Sequence, residues 1–273
     1  MTDASPQPKF AATDVSAALG RDVTFLGAGA FGETWRVDDE AYKIISKDDY
    51  PLARLQREVE GLSRVSSPFV VDFRGSLNIA LLGKQRPCLR FEYIEGGDVE
   101  AKLKKSDLLP LELVPQFLTG LLEGIAELHK TSTIHRDIKP ANIALRDGDW
   151  ARPIILDLGL AKQLDSSTIT IYPGHVGTYP YMSPEQLQGR RARKAADLWA
   201  IGVTVRQAIS GTHPFYHERD SYTLDEALDV LSNGPSGLPS GLANAAADVL
   251  NRLTSVREYE RGSAVSNLRR LSR

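Results

Sequence analysis

The chain has 273 residues, enough for two lobes around a cleft or for one large domain. With 33 Lys and Arg against 35 Asp and Glu it carries a net charge of −2, which excludes a global pull toward nucleic acid or an anionic membrane surface. A single cysteine excludes an intrachain disulfide, and no apolar run approaches the length of a membrane span. The opening Met1-Thr2-Asp3-Ala4-Ser5-Pro6 lacks the basic and apolar regions of a signal peptide, so a soluble, cytoplasmic chain is expected.

Residues 1–20 carry Pro, Ser and Ala with few large apolar groups, and read as a loosely held extension with a short helix near Val15–Leu19. Next, Leu26-Gly27-Ala28-Gly29-Ala30-Phe31-Gly32 spaces glycines so that a turn can bring backbone N–H groups close to phosphate oxygens. That spacing alone also suits a dinucleotide fold or a plain turn. The neighbouring residues oppose the dinucleotide reading. Thr34-Trp35-Arg36-Val37 and Ala41-Tyr42-Lys43-Ile44-Ile45 read as strands joined by the acidic turn Asp38-Asp39, where a dinucleotide fold needs a helix. Over residues 52–65, Leu55, Val59, Leu62 and Val65 share one helical face, with Glu58 beside it. Cys88 sits in a predicted strand as a small apolar filler rather than a nucleophile. That strand runs through Phe91 and Glu92 into a connector with Gly96 and Gly97. From Leu108 through Lys130, Val114, Phe117, Leu118, Leu121, Leu122, Ile125 and Leu128 repeat at three and four, predicting a core helix on which His129 is structural.

The stretch His135-Arg136-Asp137-Ile138-Lys139-Pro140-Ala141-Asn142 then puts a carboxylate, a lysine and a carboxamide close together, where Pro140 rules out a regular helix interior. A second carboxylate, Asp157, arrives at the end of the apolar run Ile154-Ile155-Leu156, a short buried strand. Two carboxylates and a carboxamide on neighbouring turns suit one task. They can hold Mg²⁺ on a nucleoside triphosphate while one carboxylate orients a hydroxyl toward the terminal phosphate.

These stretches resemble the catalytic loop and magnesium-binding turn of protein kinases, H-R-D-L-x-x-x-N and D-F-G, with Ile138 in place of Leu and Leu158 in place of Phe. The chain is accordingly identified as similar to eukaryotic-type protein serine/threonine kinases over about residues 21–270; its compact loops and the wording Met182-Ser183-Pro184-Glu185-Gln186 resemble bacterial or phage members. The resemblance implies an α+β, two-lobed protein-kinase-like fold. An N-terminal extension (1–20) would precede a small antiparallel β-sheet N-lobe with helix αC (about 21–95) and a larger, mainly helical C-lobe (about 96–270), with Mg-ATP between the lobes. It implies that Leu26, Gly27, Gly29 and Gly32 cover the nucleotide, that Lys43 contacts the α- and β-phosphates, and that Glu58, rather than its competitor Glu60, pairs with Lys43. Phe91 becomes the gatekeeper, backbone groups of Glu92 and Ile94 bond the adenine edge, and Asp98 lies near the ribose or the incoming peptide. Asp137 would accept or orient the hydroxyl proton, Lys139 would offset charge on the transferred phosphoryl, and Asn142 and Asp157 would hold Mg²⁺ (or Mn²⁺). A lysine two residues after Asp137 is similar to serine/threonine rather than tyrosine kinases.

Residues 160–185 correspond to an activation segment, with Ser166, Ser167, Thr168 and Thr170 followed by Gly177-Thr178-Tyr179-Pro180-Tyr181-Met182-Ser183-Pro184-Glu185, similar to G-T-x-x-Y-x-A-P-E. By resemblance Thr178 bonds the catalytic Asp and Lys, Asp197 bonds the catalytic-loop backbone, Arg261 pairs with Glu185, and His135 is a structural link beneath Leu158. Arg136 and Lys162 offer a cationic pocket for a phosphate on Thr168 or Thr170, which suggests autophosphorylation through transient self-association. The implied partners are ATP and a protein with a Ser or Thr acceptor, with no nucleic acid and no membrane segment. Two alternatives remain: a small-molecule phosphotransferase, opposed by the full Gly177–Glu185 segment, and a pseudokinase binding module, opposed by the presence of Lys43, Asp137 and Asp157.

Overall fold

The computed structural model of the chain describes residues 7–29, 32–48, 50–157, 180–216 and 222–272, without the side chains of Leu52, Arg54 and Glu58. The chain divides into two units, Met1–Val65 with Val71–Ile94, and Ser66–Val70 with Glu95–Arg273.

In the first unit, strands β1 (Thr24–Ala28), β2 (Gly32–Val37), β3 (Glu40–Ile45), β4 (Phe73–Leu81) and β5 (Lys84–Glu92) form an antiparallel sheet in the order β1-β2-β3-β5-β4. Because side chains alternate along a strand, the register sorts them onto two faces. Glu33 with Ile44 and Trp35 with Tyr42 lie on one face; Thr34, Lys43 and Leu89 lie on the other. Helix α2 (Leu52–Leu62) follows β3 after Pro51.

Residues 9–19 correct the reading of a loosely held extension. Helix α1 (Ala12–Leu19) ends at Gly20 in the left-handed region (φ 67°), and Val15 and Phe10 are buried with Trp35, Ile44, Ile79, Leu81 and Cys88. The segment has few large apolar groups, but it spends them on one face of the sheet, so it belongs to that core.

The second unit is built on α4 (Val114–Lys130), preceded by the short α3 (Val99–Lys104). Val114, Phe117, Leu118, Leu121, Leu122, Ile125 and Leu128 are all fully buried, as their spacing predicts. The helix begins later than Leu108, however. Pro110 disfavours the helical region at the residue before it, the chain makes a 3₁₀ turn over Leu111–Leu113, and the Leu109 N–H bonds the Ala208 carbonyl instead (2.9 Å). Packed on α4 are β7 (Pro153–Ile155), which pairs antiparallel with β6 (Ile143–Leu145), and the later helices α6 (Lys194–Ser210), α8 (Asn244–Leu253) and α9 (Ala264–Leu271). The shorter α5 (Pro184–Leu187) packs with α7 (Leu224–Ser232). Gly124 permits a close approach: a Cβ there would stand 2.9 Å from the Phe69 carbonyl oxygen, which accepts the Ile155 N–H at 2.9 Å. Glycine thus lets residues 66–70 pass against α4 and join β7. Among the described residues no helix is long and apolar enough to cross a membrane.

Candidate active site

Asp197, fully buried on α6, shapes the backbone ahead of Asp137. Its Oδ2 accepts the N–H of His135 (3.0 Å), its Oδ1 accepts that of Arg136 (2.7 Å), and His129 Nε2 lies 2.9 Å from Oδ2. Arg136 is thereby held at φ 67°, a left-handed conformation that costs a residue with a Cβ on the order of 1–2 kcal/mol. His135 Nδ1 accepts the Asp137 N–H (3.3 Å), so the proton sits on Nε2 and is donated to the Leu156 carbonyl (2.7 Å). With both ring nitrogens engaged, buried His135 links the Asp137 backbone to the chain entering Asp157 rather than acting as acid or base. Leu158, beneath which it was expected, lies outside the described residues.

At Asp137 itself, Lys139 Nζ donates to Oδ2 at 2.9 Å, and Asn142 Nδ2 donates to the Asp137 carbonyl (2.7 Å) and to Oδ2 (3.0 Å). The ribbon brings in Asp157. Ile143 opposes Ile155, so Asn142, just before β6, faces Leu156, just after β7, whose N–H reaches the Asn142 carbonyl at 2.9 Å. Asp157 comes next at φ 60°, a second strained residue in the same place. The carboxamide residue Asn142 and the carboxylate residue Asp157 thus flank the same end of a two-stranded ribbon.

This pair fits a hard cation. With Nδ2 turned to Asp137, the Asn142 amide keeps its oxygen for acceptance, and the Asp157 carboxylate adds charge; oxygen donors of this kind suit Mg²⁺. Among the described residues no group of three or more His, Cys, Asp or Glu forms a closed cage.

In the first unit, the Gly29 N–H bonds the Gly32 carbonyl (2.9 Å), joining the chain just after β1 to the start of β2. The glycines differ in what requires them. A Cβ at Gly32 would stand 2.1 Å from the Ile44 carbonyl oxygen, so strand pairing alone demands glycine there. At Gly27 and Gly29 an added Cβ would meet nothing within 4 Å among the described residues. Leu26 beside them is exposed. Lys43 is only 8% exposed, between Thr34 and Leu89 on the sheet face away from α1. Glu58 lies on α2, but its side chain is outside the described residues.

Phe91 is buried edge-to-face on Phe73 (5.5 Å). Glu92 exchanges bonds with Asp72: its N–H donates to the Asp72 carbonyl and its Oε1 accepts the Asp72 N–H, both at 3.0 Å. Ile94, buried, ends the first unit. Asp98 caps α3, accepting the Ala101 N–H at 2.7 Å; burial pushes its carboxyl above the ordinary value, against that hydrogen bond. Sequence reading missed this capping role, although Asp98-Val99-Glu100-Ala101 carries a helix-start signal.

Glu185 and Arg261 form a fully buried bidentate pair, with Nη1–Oε1 at 2.6 Å and Nη2–Oε2 at 2.9 Å. Burial would raise the Glu185 carboxyl, but the Arg261 hydrogen bonds and charge bring it net below its ordinary value. The guanidinium also covers the Trp199 ring at 4.9 Å and bonds the carbonyls of Ser255 and Ala195. Cys88 is a filler, as read: burial pushes its thiol up to about 12. Ala30, Phe31, Gly159, Lys162, Ser166, Ser167, Thr168, Thr170, Gly177, Thr178 and Tyr179 lie outside the described residues.

A family model described as the protein kinase domain matches residues 21–270, and the chain belongs to the protein kinase family, a class of ATP-dependent phosphotransferases. It is 28% identical over 268 residues to the serine/threonine-protein kinase AtPK2/AtPK19 of Arabidopsis thaliana, covering 92% of this chain and 53% of that protein. It is 31% identical over 232 residues to the probable serine/threonine-protein kinase PkwA of Thermomonospora curvata (80% and 29%). To the cAMP-dependent protein kinase catalytic subunit of Dictyostelium discoideum it is 26% identical over 260 residues (90% and 38%). The chain therefore spans about half the length, or less, of these relatives.

Proposed function

We propose that the chain transfers the γ-phosphoryl group of ATP to Ser or Thr hydroxyls of proteins. The observation that carries this reading is the Asp137 carboxylate, bonded by Lys139 at 2.9 Å and Asn142 at 3.0 Å in a loop that also bonds Leu156, the residue before Asp157, through His135 and the Asn142 carbonyl. Asp137 takes or orients the proton of the attacking hydroxyl. Lys139 places a positive charge where charge develops on the phosphoryl oxygens. Asn142 and Asp157 hold Mg²⁺ or Mn²⁺, which, when bound, neutralises the phosphates and fixes their orientation. Lys43 contacts the α- and β-phosphates, paired with Glu58; Leu26, Gly27, Gly29 and Gly32 cover the nucleotide. Backbone groups of Glu92 and Ile94 hold the base, and Asp98 lies near the ribose. Ser/Thr specificity rests on Lys139 and on the similarity to the serine/threonine-protein kinases named above. We place the enzyme in the cytoplasm, with autophosphorylation at Thr168 or Thr170 in transient self-contact.

The test is incubation with γ-labelled ATP, Mg²⁺ and generic protein substrates, comparing wild type with Asp137→Ala, then phosphoamino-acid analysis and site mapping. Label on protein Ser or Thr, lost in the variant, supports the proposal, and label on Thr168 or Thr170 supports autophosphorylation. Label confined to small molecules, or none at all, would replace the reading with a metabolite kinase or a binding module.

A further inference from the structure

Glu33 is a carboxylate buried to 2% exposure on the apolar sheet face, directly after Gly32, the last glycine of the hairpin. A buried carboxylate is costly unless its oxygens find donors. Here the donors are two consecutive main-chain amides: the Lys9 N–H bonds Oε1 and the Phe10 N–H bonds Oε2 (3.3 Å). Successive backbone amides converging on one anion form an anion-binding nest, and here the nest and the anion come from the same chain.

The segment that supplies those amides is itself fastened. The Phe10 ring is buried under the Arg86 guanidinium (5.0 Å to the centroid), and both Lys9 Nζ and Arg86 Nη1 donate to the Ser46 carbonyl at 3.2 Å. Residues 9 and 10 thus join β2 to β5 and to the end of β3, and α1 continues the cover over β4. On the other side of Gly32, nothing among the described residues lies within 4 Å of a Cβ placed at Gly27 or Gly29.

We infer that Glu33 is a positioning residue for nucleotide binding. Through Lys9 and Phe10 it uses the N-terminal segment as a strap that holds the root of the Gly27–Gly32 hairpin from the sheet face opposite Lys43. The inference rests on the reading of that hairpin as the nucleotide cover. Glu33 itself touches no reacting atom, so its loss should weaken nucleotide capture and spare the chemical step.

The test uses the full chain and the variants E33Q, K9P, K9A and E33Q/K9P. E33Q keeps the shape but turns an amide NH₂ toward a main-chain N–H. K9P deletes one donor without touching β2, and K9A reports the part of its effect that comes from the ammonium. Expected for E33Q is a rise of about tenfold in KM for ATP and in the calorimetric Kd for Mg-ADP, the size of one charge-assisted hydrogen bond, with kcat within about twofold. Amide hydrogen exchange over residues 24–37 should quicken without nucleotide. K9P should reproduce this beyond the effect of K9A, and E33Q/K9P should be no worse than either single change. A fall in kcat at constant KM, unchanged exchange over 24–37, or fully additive K9P and E33Q effects would overturn the strap. Wild type that binds no nucleotide would instead overturn the hairpin reading, and the exchange data still decide whether the strap holds the hairpin.

Discussion

Asp137 sits in a loop pinned at successive residues. Asp197 holds the N–H groups of His135 and Arg136, His135 holds that of Asp137, and Asn142 holds its carbonyl. The Gly27–Gly32 stretch is built the other way: among the described residues nothing lies within 4 Å of a Cβ placed at Gly27 or Gly29, and its described anchor is at the root, on Glu33. The difference comes from what each part does in the proposed reaction. Proton transfer and phosphoryl stabilisation reward fixed geometry, since a small misplacement costs heavily in rate. A cover over a nucleotide has to admit one and release another, which requires room.

The comparison breaks most sharply at Asp137. Asp137→Ala should lower kcat by roughly 10²–10⁴-fold, the usual worth of a positioned general base, while calorimetry finds nucleotide binding close to wild type. If binding fell as far as turnover, the two regions would not be separable in function.

Next in size is the Glu185–Arg261 pair, which ties the end of the x-P-E segment to the second unit's core. Glu185→Gln leaves the Arg261 charge buried without its counter-ion and should cost about 3–5 kcal/mol in denaturant titrations. The direction of the shift sets the sign of the pH dependence. The folded carboxyl lies below its ordinary value of 4.5, so its contribution is present above the unfolded pKa and is lost as pH falls through the folded one. Wild type should therefore lose stability below about pH 4.5 more steeply than the Gln variant. Parallel curves would mean that the pair titrates elsewhere.

Asp197→Asn sharpens the contrast. The isosteric amide can accept with one oxygen only, so one of the two loop N–H bonds is lost, worth about 1–3 kcal/mol for a buried group. That predicts roughly a 10- to 100-fold loss in kcat with KM for ATP little changed, the mirror image of E33Q. Equal losses in both parameters for both variants would show one rigid site instead of two differently held parts.

What the sequence disclosed and what it hid obey the same physics. That Asp137, Lys139 and Asn142 fall together was legible because they lie within six residues of one loop, and α4 was legible because its buried stripe repeats at the helical period. The role of residues 9–19 was not. Phe10 and Val15 are too few to make a local pattern, and their burial depends on strands that come later in the chain. Glu33 was hidden for a related reason. A glutamate after a glycine reads as a solvated strand residue until the register puts it beside Trp35 and Ile44 on the apolar face. The start of α4 was overextended because Leu108 and Leu109 continue the apolar run, while Pro110 acts on the backbone without changing the hydropathy.

The smallest effect separates two roles for one carboxylate. Asp98 caps α3 through Ala101, and it is also the residue assigned to the ribose. Serine caps a helix about as well as aspartate but has a shorter reach, so Asp98→Ser should change stability by only a few tenths of a kcal/mol, against about 1 kcal/mol for Asp98→Ala. The ATP KM then decides. If it rises several-fold in the Ser variant while the α3 amides keep their protection from exchange, the carboxylate meets ligand as well as helix. If KM tracks stability through both variants, Asp98 acts only as a cap. Burial already raises this carboxyl, so a ligand-facing role should also show as a KM that responds to pH near the acid range, which Asp98→Ser abolishes.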